Sequence, residues 1–440
     1  MITDTTKKRL ITSTLRGSVV RTAFISILLS ASAYTLYLLV LSGTRQQGTI
    51  FWANPNDFFM DFFNVLKYIS TKSPYTYTDF MGLGEKAYPP LAYLILYPFS
   101  RLYDYVNNPS YDARSTQFGI MSVLFFLGVC VFFLTFLYSY HIKGSTPAKI
   151  LTTMSFFLSG IFLYSLERAN IIFISVLFLG VFLFWYKSEN PVLREIAYIA
   201  LALAAALKVY PALFGILIIK DKRWFASIRT LIYGAAAFFL PFFFFKGGLS
   251  NLGQLLANVD ENTRIYQFIT PSFKLGWLPF YLCTHADTAN YQSWITFGNV
   301  LMVSSIVLCF FLKSQWKTAA LLACVIIASP ANSAYYCGLY LIVPIILFIN
   351  EKEHNCFSLI YLLLFVLLLN PYQIIVDDIN LTIFLANYSL LCLYLSFFIE
   401  AAIRAVVWIS KQIRERKLDK PVPSVTKRFN NRIALGVKWE

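Results

Sequence analysis

The feature that most restricts this chain is its series of apolar runs long enough to cross a bilayer. One of them, FFLGVCVFFLTFLYSY, carries no charge and shows no alternation of apolar and polar residues. A spanning helix needs roughly 18 or more predominantly apolar residues in a row. It must also satisfy its backbone hydrogen bonds within the segment, because hydrocarbon offers no partners. The strands of a membrane barrel would instead alternate lipid-facing and lumen-facing side chains. Only 13% of the residues are charged, against roughly 25% in soluble domains. The chain therefore reads as an all-α polytopic membrane protein.

The net charge of +15 would suggest a nucleic-acid partner in a soluble protein. Here the positive residues gather at the two ends. Lys7, Lys8, Arg9, Arg16 and Arg21 precede or open the first apolar run, and Lys and Arg recur from Arg404 to Lys438. Basic flanks stay on the cytoplasmic side. Both termini are thus expected inside, with an even number of crossings, and the basic tail is expected to touch anionic headgroups. No aromatic-interleaved basic patch accompanies it, so no nucleic acid is expected. The seven cysteines are scattered without a CxxC or a Cys/His cluster, which argues against a zinc site or a disulfide framework. The three histidines do not cluster either, and none is assigned a role.

About twelve crossings are expected in a single transmembrane unit over residues 1–410, with a basic cytoplasmic tail over 411–440. The first crossing covers 22–42 and leads to a long outer loop, 43–113, too patterned to be an idle connector. Within that loop DFFMDFFNVLKYI is expected to lie as an amphipathic juxtamembrane helix at the membrane surface. Tyr88-Pro89-Pro90 then opens a short interfacial or re-entrant helix. Crossings follow at 114–140, 148–165 and 169–186. The next segment has basic flanks at both ends and a Lys-Val-Tyr-Pro break in its middle, so it reads as two short helices, 196–208 and 209–220. Pro211 favours that break because it removes a backbone donor. A crossing at 226–245 precedes a second outer loop, 247–290. Crossings at 292–312, 317–329, 335–350, 355–371 and 380–402 complete the chain.

Ionisable residues at membrane depth are costly, so each is a candidate for function. They collect on the outer side of this topology. Asp57 and Asp61 would be i, i+4 neighbours on one helix face, and a carboxylate in a partly dry pocket can act as a general base. Solvated acids on an amphipathic face are the alternative. Arg168, in Glu167-Arg168-Ala169-Asn170, can hold a phosphate or pair with an acid of the first loop. Lys208 at the tip of two short helices needs an anion, unless it snorkels to the surface. Arg264, with Asp260 and Glu261, supplies a cation in the second outer loop. Around Ser329-Pro330, Asn332, Tyr335 and Tyr336 offer hydrogen bonds to sugar hydroxyls. No P-loop, no GxGxxG and no DxD pair on a soluble domain occur, which argues against a soluble nucleotide-sugar enzyme.

Taken in order, these residues form a series. It runs from the acidic motif after the first helix through Pro74-Tyr75 and Tyr88-Pro89-Pro90 to Arg168 with Asn170. It continues with Lys208 to Pro211, Lys222-Arg223-Trp224 and Ser329-Pro330. The series resembles the GT-C-fold glycosyltransferases of the polyprenyl-phosphomannose mannosyltransferase type, glycosyltransferase family 87, also called DUF2029, over roughly residues 50–350. The resemblance implies transfer of a hexose, with inversion, from a polyprenyl-monophosphate donor to a lipid-linked glycan on the outer face of the membrane. It implies Asp57 as general base, with Asp61 as the second candidate. It also implies Arg168 and Lys208 as partners of the donor phosphate, with Arg264 as a further candidate cation. Tyr88, Pro89, Asn170, Tyr210, Asn332, Tyr335 and Tyr336 are the candidate substrate contacts. A monophosphate donor does not require a metal, so no metal or other cofactor is expected.

Two departures stand out. Family members commonly carry a histidine after the Ser-Pro motif, where this chain has Ala334-Tyr335-Tyr336. Alanine also occupies position 169, where glycine is usual. The expected place of work is the periplasmic face of a bacterial inner membrane, on a surface-glycan precursor such as an O-antigen repeat unit. Two rivals are a lipid-linked saccharide flippase and an O-antigen polymerase or ligase. The first predicts an internal repeat and polar residues in both halves of the membrane. The second predicts an arginine-rich outer loop, whereas 247–290 holds a single arginine.

Overall fold

The computed structural model describes residues 15–42, 58–265, 288–328, 334–355, 357–372, 374–376 and 379–418. Strand β1 (Leu15–Arg16) leads into α1 (Gly17–Ser42). Two helices belong to the first loop, α2 (Met60–Ser70) and α3 (Pro90–Leu96). Then come α4 (Gln117–His141), α5 (Thr146–Phe157), α6 (Gly160–Arg168), α7 (Ile172–Trp185) and α8 (Pro191–Leu207). A 3-10 segment, Tyr210–Gly215, runs into α9 (Ile216–Lys220), followed by α10 (Trp224–Phe239) and α11 (Asn251–Ile265). The chain continues through α12 (Thr288–Leu308), α13 (Gln315–Ala328), a 3-10 segment at Tyr335–Leu341 and α14 (Ile342–Ile349). Strand β2 (Glu353–His354) and α15 (Phe357–Leu369) come next. The hairpin of β3 (Ile375–Val376) and β4 (Ile379–Asn380) precedes the long α16 (Leu381–Leu418).

The all-α reading holds. Among the described residues four helices are long and apolar enough to cross a membrane, or five if the bent pair α5–α6 is one span. Six shorter apolar helices stand beside them. Their packing follows their composition. Helix α13 is buried on every face from Thr318 to Ala328, as a helix apolar all round should be. Helix α4 instead leaves Phe118, Phe125, Phe132 and Phe136 exposed. A stripe of that size on a water-soluble monomer would be anomalous, but lipid solvates it.

Two breaks are placed by local chemistry. The α5–α6 pair bends by 59° where a single crossing was expected. Ser159 caps the new helix by accepting the Phe162 N–H at 3.4 Å. Gly160 lets the turn approach α15, since a Cβ there would lie 2.7 Å from the Asn370 carbonyl oxygen. The expected break after α8 is present: Lys208 is extended (φ −144°, ψ 118°) and 3-10 geometry begins at Tyr210.

The first-loop helix departs from expectation. Every residue of α2 except Asp61 is buried, so the helix is a core element and not one lying on the membrane surface. It begins at Met60, after Phe59 in a left-handed conformation (φ 61°). Asp57, and with it the expected i, i+4 relation to Asp61, lies outside the described residues. Buried lysines organise the loop around α2. Lys67 donates to the carbonyls of Tyr105 (3.0 Å) and Asn108 (2.9 Å). Lys86 donates to those of Phe80, Met81 and Gly82 at 2.7–2.9 Å. Helix α11 clamps the same loop, with Asn258 Nδ2 donating to Tyr75 O (3.0 Å) and Lys86 O (3.2 Å), and Asn262 Nδ2 to Gly84 O (2.8 Å).

Candidate active site

The clamped loop delivers two groups to the same place, Asp61 from α2 and Tyr88 from the turn before α3. The α6–α7 hairpin delivers Arg168 and Asn170 from the other side. Phe59 joins the two pieces, its N–H donating to the Glu167 carbonyl at 2.8 Å. Asp61 sits in the first turn of α2 and Arg168 in the last turn of α6, so each charge has the sign its helix end favours.

Asp61 is fully engaged. Arg168 donates to its Oδ1 from both Nη2 and Nε, the latter at 3.1 Å. Asn170 Nδ2 donates to its Oδ2 at 2.7 Å. The pair is largely out of solvent, with side chains 19% and 16% exposed. Asn170 is completely buried. Its Nδ2 also donates to the Tyr88 hydroxyl at 2.9 Å, and its Oδ1 accepts the Ile172 N–H at 2.9 Å, which starts α7. A single amide thus fixes an acid, a phenol and a helix start. Between Arg168 and Asn170 the chain turns through Ala169 at φ 48°, the left-handed region where glycine carries no Cβ penalty.

Tyr88 joins this group to Lys208. Burial, with the Asp61 charge behind it, pushes the Tyr88 phenol well above its ordinary pKa, so it stays a neutral hydroxyl. Lys208 is 7% exposed. Its Nζ lies 4.2 Å from the centre of the Tyr88 ring and 5.7 Å from that of Tyr336. Among the described residues no carboxylate pairs with it and no hydrogen bond from its Nζ is formed. Tyrosine faces attract a cation by about 2 kcal/mol when desolvated, which is small beside the several kcal/mol that burying an ammonium costs. The surrounding shell thus favours an anion at Lys208.

A wall of tyrosines continues from there. Tyr336 stacks with Tyr164 (6.3 Å between centres, 22° between planes), and Tyr335 meets Tyr164 edge-on at 5.7 Å. Tyr210 opens the 3-10 segment just after Lys208. Pro89 is buried at the cap of α3.

Of the expected residues, Asp61, Tyr88, Arg168, Asn170, Lys208 and Tyr336 form one connected group, with Pro89, Tyr210 and Tyr335 along its border. Arg264 stands apart. Its side chain is 77% exposed and pairs with Asp260 on its own helix at 2.6 Å. Asp57 and Asn332 lie outside the described residues. Tyr164 went unremarked in the sequence. Its signal was its spacing, four residues before Arg168 and hence on the same face of α6.

A family model described as glycosyltransferase family 87 matches residues 87–371, more than half of the chain. The span contains Tyr88, Arg168, Asn170, Lys208 and all three tyrosines of the wall, and begins after Asp61. No curated protein matches the chain, and no solved structure does.

Proposed function

We infer the reaction from one premise: the chain belongs to glycosyltransferase family 87 and is a glycosyltransferase. Its donor is a hexose on a polyprenyl monophosphate, and its acceptor is a hydroxyl of a lipid-linked or cell-surface glycan. The acceptor oxygen attacks the anomeric carbon from the face opposite the phosphate, forming the new C–O bond with inversion. The bond from the anomeric carbon to the phosphate oxygen breaks, and its electron pair leaves with the polyprenyl phosphate. The hydroxyl proton passes to a carboxylate. Asp57 is assigned that role, because both oxygens of Asp61 are already engaged by Arg168 and Asn170.

The observation that carries this reading is Lys208, a buried ammonium faced by tyrosine rings, which feels the Asp61 charge but forms no salt bridge among the described residues. A fixed cation aimed at the oxygen that gains charge stabilises the transition state more than the ground state. Arg168 is held in place by its ion pair with Asp61, a fixed guanidinium at the border of the same group. Tyr164, Tyr335 and Tyr336 form an amphipathic wall suited to sugar faces and hydroxyls. The basic flanks of the chain, which stay on the cytoplasmic side, support a site that works at the periplasmic side of a bacterial inner membrane.

Steady-state transfer from a synthetic polyprenyl-phosphate hexose tests the assignment. Lys208→Ala is expected to raise the donor KM or lower kcat, with expression unchanged, and Asp57→Asn to abolish transfer. Unchanged donor kinetics in Lys208→Ala would return Lys208 to a structural role. Near-normal turnover in Asp57→Asn would remove it as the base.

A further inference from the structure

A second polar chamber lies at the other end of the bundle. Helix α7 runs from the Asn170 turn to Trp185, about 20 Å at 1.5 Å per residue. Around its far end is a cavity of about 620 Å³, well within the range of ligand pockets. Its lining includes His141, Lys143, Phe184, Trp316, Glu351 and Lys352.

Two of these groups lack a partner, and a third is a carboxyl without an ion pair. The His141 ring is stacked flat on Phe184 (3.9 Å, 4°), and its Nε2 is buried without a hydrogen-bond partner. Trp316 is 3% exposed, and its Nε1–H faces the Glu351 carboxyl without closing a hydrogen bond. Glu351 is half-buried, with Ser314 beside it and the Lys317 charge farther off, and no ion pair reaches it among the described residues. A buried polar group left unsatisfied costs about 1–3 kcal/mol. Two such atoms around one open volume, beside a carboxyl with no ion pair, call for a ligand that supplies the partners. That ligand must bring a cationic N–H donor to Glu351, and an anionic acceptor to Trp316 and to the ammonium groups of Lys143 and Lys352. The outer flank of the chamber is lipid-compatible: Tyr140, whose ring centre is 5.0 Å from that of His141, is 66% exposed, and Phe136 is 64% exposed.

We propose that this chamber is a binding site for a phosphoethanolamine group, presented as the headgroup of a membrane phospholipid. The ammonium sits against Glu351, the phosphate lies between Trp316 and the two lysines, and the acyl chains descend along α4. The site is separate from the Asp61–Lys208 group and does not depend on the reaction assigned there.

Native mass spectrometry of the full-length protein, released from detergent with equal amounts of phosphatidylethanolamine, phosphatidylcholine and phosphatidylglycerol, tests this. The expected result is a phosphatidylethanolamine adduct favoured at least tenfold over the other two. Phosphatidylcholine has no N–H for Glu351, and phosphatidylglycerol has no cation. Glu351→Gln should abolish the preference over phosphatidylglycerol while phosphatidylglycerol binding persists. A Lys143→Ala, Lys352→Ala variant, altered only at the mouth, should lose both adducts. Equal retention of the three lipids, or an unchanged preference in Glu351→Gln protein that elutes as a single species, would overturn the proposal.

Discussion

Replacing Asp61 by asparagine isolates what the acid does for the site. The side chain keeps its shape and loses its charge. Arg168 is then left with an amide oxygen at best, in a setting where its side chain is 19% exposed. Removing one partner of a buried pair costs about 3–5 kcal/mol, because the other charge stays desolvated and unmatched. Some water reaches this pair, so the low end, about 3 kcal/mol, is expected. That corresponds to roughly a hundredfold in the folded-to-unfolded ratio, at 1.4 kcal/mol per factor of ten. Thermal unfolding of the purified protein in one detergent reads the loss. The double variant Asp61→Asn, Arg168→Gln should recover much of it, since neither charge remains, and the two single effects should be strongly non-additive. Activity should not recover, because Tyr88 and Lys208 lose the neighbour that orients them through Asn170. If Asp61→Asn unfolds at the wild-type temperature, the ion pair does not hold the α2 and α6 ends together and the geometric reasoning fails.

Three further outcomes are expected. Ala169→Gly relieves a non-glycine residue at φ 48° and should stabilise the fold by about 0.5–1 kcal/mol; a lower unfolding temperature would contradict this. Asn258→Ala removes two hydrogen bonds that tie α11 to the first loop, so amide exchange and proteolysis at residues 75–86 should accelerate while α13 stays protected. Thr78→Cys should react with an impermeant thiol reagent added outside intact cells, and protection there would invert the orientation.

Much of the helical plan was legible because hydrocarbon imposes it. Length and apolarity mark α1, α4 and α16 whatever they pack against, and Lys208 before Tyr210-Pro211 marks the break after α8. The bend between α5 and α6 was not legible, since it depends on the approach of Asn370 to Gly160, some two hundred residues away in sequence. Helix α2 was misplaced for a related reason. Its moment suits a membrane surface, but its polar residues are spent on internal partners, Lys67 on two loop carbonyls and Asn64 on Ser110.

At the site, residue types were readable and pairings were not. Arg168 had two open fates, a phosphate or an acid of the first loop. The structure shows the second, with an acid 107 positions earlier. Lys208 kept its need for an anion because burial rules out snorkelling. His141 carried no signal in the sequence: its setting comes from Phe184, Trp316 and Glu351, which only the fold brings to one cavity.

The most direct measurement is density for a polyprenyl phosphate in the purified, full-length protein. The phosphate should lie against Lys208 Nζ, beside the Tyr88 ring, with the lipid leaving between helices toward the bilayer. A phosphate held elsewhere, with Lys208 still enclosed by tyrosines alone, would contradict the assignment of this lysine to the donor.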